Sequence, residues 1–252
     1  MKNKYTYTSA EENYEDYSSG RVLYGVKGAT NFPVRLGSEI FQQCAAYLKS
    51  KGKQEPYRLY DPFCGVAYSL TTLAFIHGKQ IESITASDAD SRILEFAGKN
   101  LSLLTPDGLN KRIEELKTFF EKYNKESHKE ALKSASRLIE KTLGSMKIQY
   151  FQFNVTRDEE LLQSIPKIDM VITDLPYGRL TKWDGISGDE NFVQIFLDKL
   201  KSKLSSVSIV AIVCDKKQRI SCPGYKSVKT LVLGKRRILF IELAGEKSHI
   251  EK

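Results

Sequence analysis

Little in this sequence points to a membrane, a metal or a disulfide. The N-terminal stretch Met1-Lys2-Asn3-Lys4-Tyr5-Thr6-Tyr7 lacks the apolar centre of a signal peptide, and the longest apolar run, near Val207 to Cys214, falls far short of a bilayer span. A cytoplasmic protein that avoids membranes is expected. Four cysteines, Cys44, Cys64, Cys214 and Cys222, show no C-x-x-C spacing, and the three histidines are scattered. That argues against a bound metal and against structural disulfides. Acidic residues are nearly absent from one stretch: positions 213–237 carry Lys216, Lys217, Arg219, Lys226, Lys229, Lys235, Arg236 and Arg237 against Asp215 alone, most of the formal net charge of +8. Clustered cations attract a polyanion and release its counterions. A solvated face is the plainer alternative; a membrane surface is a third, although no strongly apolar helix face accompanies these residues.

What is present is enough for one large domain: 252 residues, of which 41% are hydrophobic. From Tyr57 onward, short β-rich runs alternate with helical patterns, as in an α/β fold with a mainly parallel sheet. Seven strands are expected: Arg58 to Asp61, Ser83 to Ser87, Ile148 to Phe151, Met170 to Thr173, Val207 to Cys214, Ser227 to Val232 and Arg237 to Leu243. The last two lack an intervening helix, so an antiparallel hairpin is expected there. Helices are predicted at Tyr68 to Ile76, Ser91 to Leu103, Arg157 to Gln163 and Asn191 to Leu204, covering both faces of the sheet. Two more amphipathic segments, Leu109 to Tyr123 and Lys129 to Leu143, form a helical hairpin inserted at 105–147, which either grips substrate or is a solvated structural insert. Residues 1–50 form an N-terminal extension and helix, in which Tyr5, Tyr7, Tyr14, Tyr17 and Tyr24 stack on bases or simply pack.

Four stretches carry chemistry. In "YDPFCGVAYSL", Tyr60 to Leu70, a strand ends in Asp61 and passes through a turn with Cys64, Gly65 and Ala67 into a helix, so a ligand can approach the backbone closely. The G-x-G-x-x-G of dinucleotide sites is missing, and Asp61 would repel a pyrophosphate. A ligand with positive charge, such as S-adenosylmethionine, fits better. In "ITASDAD", Asp88 ends the second strand, where a carboxylate can accept from both ribose hydroxyls; Asp90 is either a helix cap or that ribose ligand. In "FQFNVTR", Asn154 either meets an adenine amino group or is an ordinary turn residue. In "TDLPYG", Asp174 and the carbonyl of Leu175 can each accept an N–H of a nucleobase amine, Pro176 restricts the turn and Tyr177 offers a face for stacking. For a protonated ring nitrogen, Asp174 would instead be a general base. No cysteine stands near this stretch for covalent catalysis, and Cys64 reads as a packing residue.

Taken together, these motifs resemble a class I S-adenosylmethionine-dependent methyltransferase, with Asp174-Leu175-Pro176-Tyr177 similar to the [D/N]-P-P-[Y/F/W] motif of base-amine methyltransferases. More closely, "FPVRL", "DPFCG", "SDAD", "NLSLLTPDGL" and "TDLPYG" resemble the AviRa family of avilamycin-resistance ribosomal RNA methyltransferases. The resemblance implies a Rossmann-like sheet, an inserted helical pair and methylation of a guanine base in large-subunit (23S) rRNA; from the clustered charge, Lys216, Lys217, Arg219, Lys235, Arg236 and Arg237 are the expected RNA contacts. The chain departs from the broader patterns at Ala67, where the turn usually has a second glycine, and at Leu175, where the motif has a proline. Methylation of DNA or of a small molecule, and a catalytically silent RNA-binding module, are the alternative readings.

Overall fold

The computed structural model describes residues 5–10, 12–26, 32–144, 146–154, 158, 165–175, 189–218 and 220–244. Seven strands, β1 (Tyr57–Asp61), β2 (Ile81–Asp88), β3 (Lys147–Gln152), β4 (Ile168–Asp174), β5 (Leu204–Asp215), β6 (Tyr225–Leu233) and β7 (Arg236–Leu243), form one sheet in the order β3-β2-β1-β4-β5-β7-β6. Neighbours from β3 to β5 are parallel, whereas β7 runs antiparallel to both β5 and β6. The strand order reverses between β1 and β4, which opens a crevice at their carboxyl ends, the usual ligand position in such sheets.

Burial explains the strand sequences. β4 is buried along its length except for its last residue, so it reads as a nearly continuous apolar run, while edge strand β6 has only exposed and half-buried residues. Side chains of the inner strands alternate between two cores. Leu59, Met170, Ile172, Ile209 and Ala211 face one core, together with α1 (Val34–Ser50), α2 (Tyr68–His77) and α3 (Ser91–Ser102). Tyr60, Val171, Val210 and Ile212 face the other, together with Phe192, Phe196 and Leu200 of α6 (Asp189–Lys201).

The inserted pair is α4 (Pro106–Tyr123) and α5 (Glu126–Ile139). α4 begins earlier than the expected Leu109: the Thr105 hydroxyl accepts from the Gly108 amide and Pro106 takes the first helical position. Gly108 is required by crowding, since a Cβ there would lie 2.0 Å from the Ser102 carbonyl oxygen. A second correction concerns the β4–β5 connection. α6 stops at Lys201 and β5 starts at Leu204, earlier than the periodicity suggests, because buried Leu204 pairs with Ile168 across a register shift in β4. Of the helix expected at Arg157 to Gln163, only Asp158 is among the described residues. Among the described residues no helix is long and apolar enough to cross a membrane.

The N-terminal segment packs rather than hangs free. Buried Glu39 of α1 accepts from the amides of Thr6, Tyr7 and Thr8. Tyr17 is buried, and Tyr5, Tyr14 and Tyr24 rest partly buried on the core, leaving Tyr7 exposed.

Candidate active site

Three carboxylates end three adjacent strands of the crevice. Asp61 closes β1, Asp88 closes β2 and Asp174 closes β4. Asp61 is 5% exposed, and its Oδ1 accepts from the Thr173 hydroxyl at 2.8 Å and from the Phe63 amide at 3.1 Å. That first bond joins the turn after β1 to the strand that carries Asp174. Burial pushes the Asp61 carboxyl up to about 7, against its two hydrogen bonds and with help from the nearby Asp88 and Asp174 charges. Burial likewise raises Asp88.

The turn between β1 and α2 is pinned from both sides. The Cys64 amide donates to the Ser87 carbonyl, and the Gly65 amide donates to Asp88 Oδ2 at 2.9 Å. Gly65 has φ +53°, and a Cβ there would meet nothing within 4 Å, so the space beside the turn is open. Its amide, expected to face a ligand, faces Asp88 instead. Ala67 takes the same left-handed conformation, φ 54° and ψ 26°, that the missing glycine would favour, at a cost of about 1–2 kcal/mol for a residue with a Cβ. The backbone path of the turn is thus kept despite the substitution. Cys64 is buried, its thiol donates to the Gly65 carbonyl and burial raises its pKa, as suits a packing residue.

Asp88 accepts from the Asp90 amide through its other oxygen, while Asp90 caps α3 through the Arg92 amide and pairs with the Arg92 guanidinium. Of the two acids weighed for a ribose, Asp90 is therefore committed to the helix. Asn154 is half-buried just after β3; its amide donates to the Asp158 carboxylate at 2.6 Å, and the preceding Phe153 amide donates to the Asp88 carbonyl. Asp174 is half-buried. Leu175 is buried, its amide donates to the Val213 carbonyl at 2.9 Å and its side chain joins the core that holds Phe192 and Phe196. Pro176 and Tyr177 lie outside the described residues, as does Arg219.

The basic run divides. Lys216 and Lys217 follow β5, and Lys235 lies in the β6–β7 turn; all three are exposed at the carboxyl edge that also holds Asp174. The two turns are linked by the Lys216 amide, which donates to the Lys235 carbonyl. Arg237 braces them, its guanidinium donating to the carbonyls of Lys216 at 2.7 Å and Gln218 at 3.1 Å, and Arg236 stands 5.7 Å over the Phe32 ring. Lys226 sits opposite Glu242 at the far end of β6.

Two residues at the site escaped the reading of motifs. Thr173 was legible only as the end of an apolar strand. Asn100, fully buried on α3, donates to the carbonyls of Val66 in the β1–α2 turn and Tyr24, and accepts from the Tyr24 amide. The available signal was a polar residue on the buried stripe of Leu94, Ala97 and Leu101.

Comparison with known proteins shows the family and the fold. A 23S rRNA (guanine(2535)-N(1))-methyltransferase from Streptomyces viridochromogenes is 34% identical over 235 residues, covering 91% of this chain and 92% of the relative. Two structures of the rRNA methyltransferase AviRa from the same organism, at 1.5 Å and 2.4 Å, superpose with TM-scores of 0.83 and 0.82 at 33% identity, each covering 94% of this chain and 95% of the other. The family model for rRNA methyltransferase AviRa matches residues 3–236, and the chain belongs to that family.

Proposed function

We propose that this protein transfers a methyl group from S-adenosylmethionine to a guanine base of large-subunit (23S) ribosomal RNA. The observation that carries this reading is the Thr173–Asp61 hydrogen bond, which ties the acid beside the β1 turn to the strand ending in Asp174. The residues present suit the cofactor. Two carboxylates and open space beside Gly65 accommodate a cationic, ribose-bearing ligand, whereas a pyrophosphate would face like charge. When bound, the cofactor supplies an electrophilic methyl group.

Asp61 would face the cationic methionine end. Asp88 would accept from the ribose, and Cys64 to Ala67 would line the turn, with Asn154 on the adenine side. The relative's name specifies guanine N1, a ring nitrogen that carries a proton. Carried over to this chain, that chemistry favours Asp174 as the base that takes the N1 proton, over a pair of acceptors holding an exocyclic amine. Leu175 would contribute its carbonyl, Pro176 the fixed turn and Tyr177 a stacking face. Lys216, Lys217, Arg219 and Lys235 would neutralise phosphates beside the base, together with Arg236, while Arg237 holds their turns in place. On this reading residues 1–252 are one methyltransferase domain, with an N-terminal extension over 1–50 and an insert over 105–147, acting in the cytoplasm where ribosomes are made.

The test is transfer of labelled methyl to purified 23S rRNA, with duplex DNA as competitor and mass spectrometry to locate the product. Asp174-dependent formation of N1-methylguanine is expected. Preference for DNA, or no transfer to any RNA, would overturn the reading.

A further inference from the structure

The tip of the inserted helical pair carries surface that the fold does not use. α4 buries Leu109, Arg112 and Leu116, and α5 buries Ala131, Ser134, Ala135 and Leu138. Beyond Leu116, the last turns of α4 present Phe119 and Tyr123 to solvent, 40% and 50% exposed. Both rings flank His128 of α5, with centroids 5.9 Å and 6.0 Å away, and Lys122 and Lys125 stand 5.1 Å and 5.8 Å from the centre of the Tyr123 ring. Exposed rings interleaved with cations are the usual platform for unpaired bases, because every base has a face to stack and a phosphate beside it.

Its position relative to the crevice follows from contacts lower on α4. The chain entering the helix at Leu104 is bonded to Leu143, which packs against Gly78 just before the amino end of β2. Two turns further on, Arg112 donates to the Val22 carbonyl, and Glu115 accepts from the Tyr24 hydroxyl. Tyr24 is tied through Asn100 to Val66, in the turn at the carboxyl end of β1. The lower part of α4 is therefore tied to the chain that packs on the β1 turn, and the stretch from Glu115 to Tyr123 extends about 12 Å further along the helix axis. α3, from which the pair continues, packs against β2 and β3, on the flank of the crevice opposite the basic turns of β5 and β7.

We infer that this tip is a second RNA contact, stacking one or more unpaired nucleotides on Phe119 and Tyr123 with Lys122 and Lys125 against their phosphates. The inference rests on the rRNA methyltransferase reading and adds to it the element that selects which RNA region is presented. The target base would lie between two separate grips.

The experiment uses the full chain with two double variants, Phe119→Ala/Tyr123→Ala and Lys122→Gln/Lys125→Gln, plus Tyr123→Trp, with melting curves to verify folding. Steady-state methyl transfer to purified 23S rRNA should show KM for RNA raised about tenfold or more in the first variant, the scale of a lost stacking contact. A smaller rise is expected in the second, with kcat and cofactor affinity unchanged in both and near-normal KM for Tyr123→Trp. Unchanged KM in both double variants, with active wild type, overturns the inference. So does a defect confined to intact large subunits and absent on naked rRNA, which would assign the tip to a ribosomal protein. If the wild type methylates no RNA, the functional reading fails, and direct RNA-binding titrations of the same variants still decide the role of the tip.

Discussion

At the amino end of β4, Asp169 is only 1% exposed, yet it is fully matched: Arg58 donates to it from its backbone amide and guanidinium, Lys53 lies 2.8 Å away and the Ser205 hydroxyl bonds to it as well. At the carboxyl end of the same central strands, Asp61 and Asp88 accept only from backbone amides and the Thr173 hydroxyl among the described residues. Burial alone would raise the Asp169 carboxyl, but its partners hold it at about 2; burial prevails at Asp61, which reaches about 7. One acid has its countercharge built in and serves the fold. Asp61 and Asp88 lack a cationic partner among the described residues, which suits the proposed cationic ligand.

The sharpest break in that contrast comes from Asp174. Its replacement in Asp174→Ala should lower initial rates of methyl transfer by about two to four orders of magnitude while leaving the melting temperature near wild type. Equal rates would remove it from the chemistry. At the other end, Arg58→Ala leaves a buried carboxylate short of its main partner and should cost about 3 kcal/mol in urea unfolding; a loss below about 1 kcal/mol would mean that Lys53 and Ser205 suffice.

The pH dependence of stability should separate the two acids by sign. Asp169, lowered to about 2 from 3.8, contributes stability that is present above pH 3.8 and lost as pH falls toward 2. Asp61, raised from 3.8 to about 7, favours folding when protonated, and that contribution fades as pH rises from 3.8 through about 7. Asp61→Asn should therefore stabilise the protein by about 2 kcal/mol at roughly pH 8 and change little near pH 4, as read from unfolding curves across the range.

A smaller effect is expected at Thr173, where Thr173→Val removes the donor to Asp61. Calorimetric titration should show S-adenosylmethionine affinity about tenfold weaker, with Thr173→Ser near wild type. Equal weakening in the serine variant would point to packing instead of the hydroxyl. Least of all, Ala67→Gly should relieve left-handed strain and stabilise the fold by under about 1 kcal/mol. A clear destabilisation would show that the buried methyl group matters more than the strain.

Much of the site was legible because acids punctuate apolar runs. Asp61, Asp88 and Asp174 stand where strands must stop, and a parallel sheet sends all such ends to one edge. The partners of those acids were not legible. Thr173 reaches Asp61 across 112 positions, and Asn100 reaches Tyr24 across 76. No local pattern encodes such a pairing, because strand order and helix tilt decide it. The basic run looked uniform in sequence; pairing of β6 with β7 sent Lys226 to one end of the sheet and Lys235 to the other, and turned Arg237 inward as a brace.

The sequence by itself determined the alternation of strands and helices, the acids at the strand ends and the excess of positive charge, since each is a matter of period, punctuation and composition. Only the tertiary structure decided that Asp61 and Asp88 are left without a basic partner among the described residues, which lysines share an edge with Asp174, and that the inserted pair continues from the flank of the sheet opposite those lysines. Those properties depend on distances between residues remote in the chain, and packing alone sets such distances.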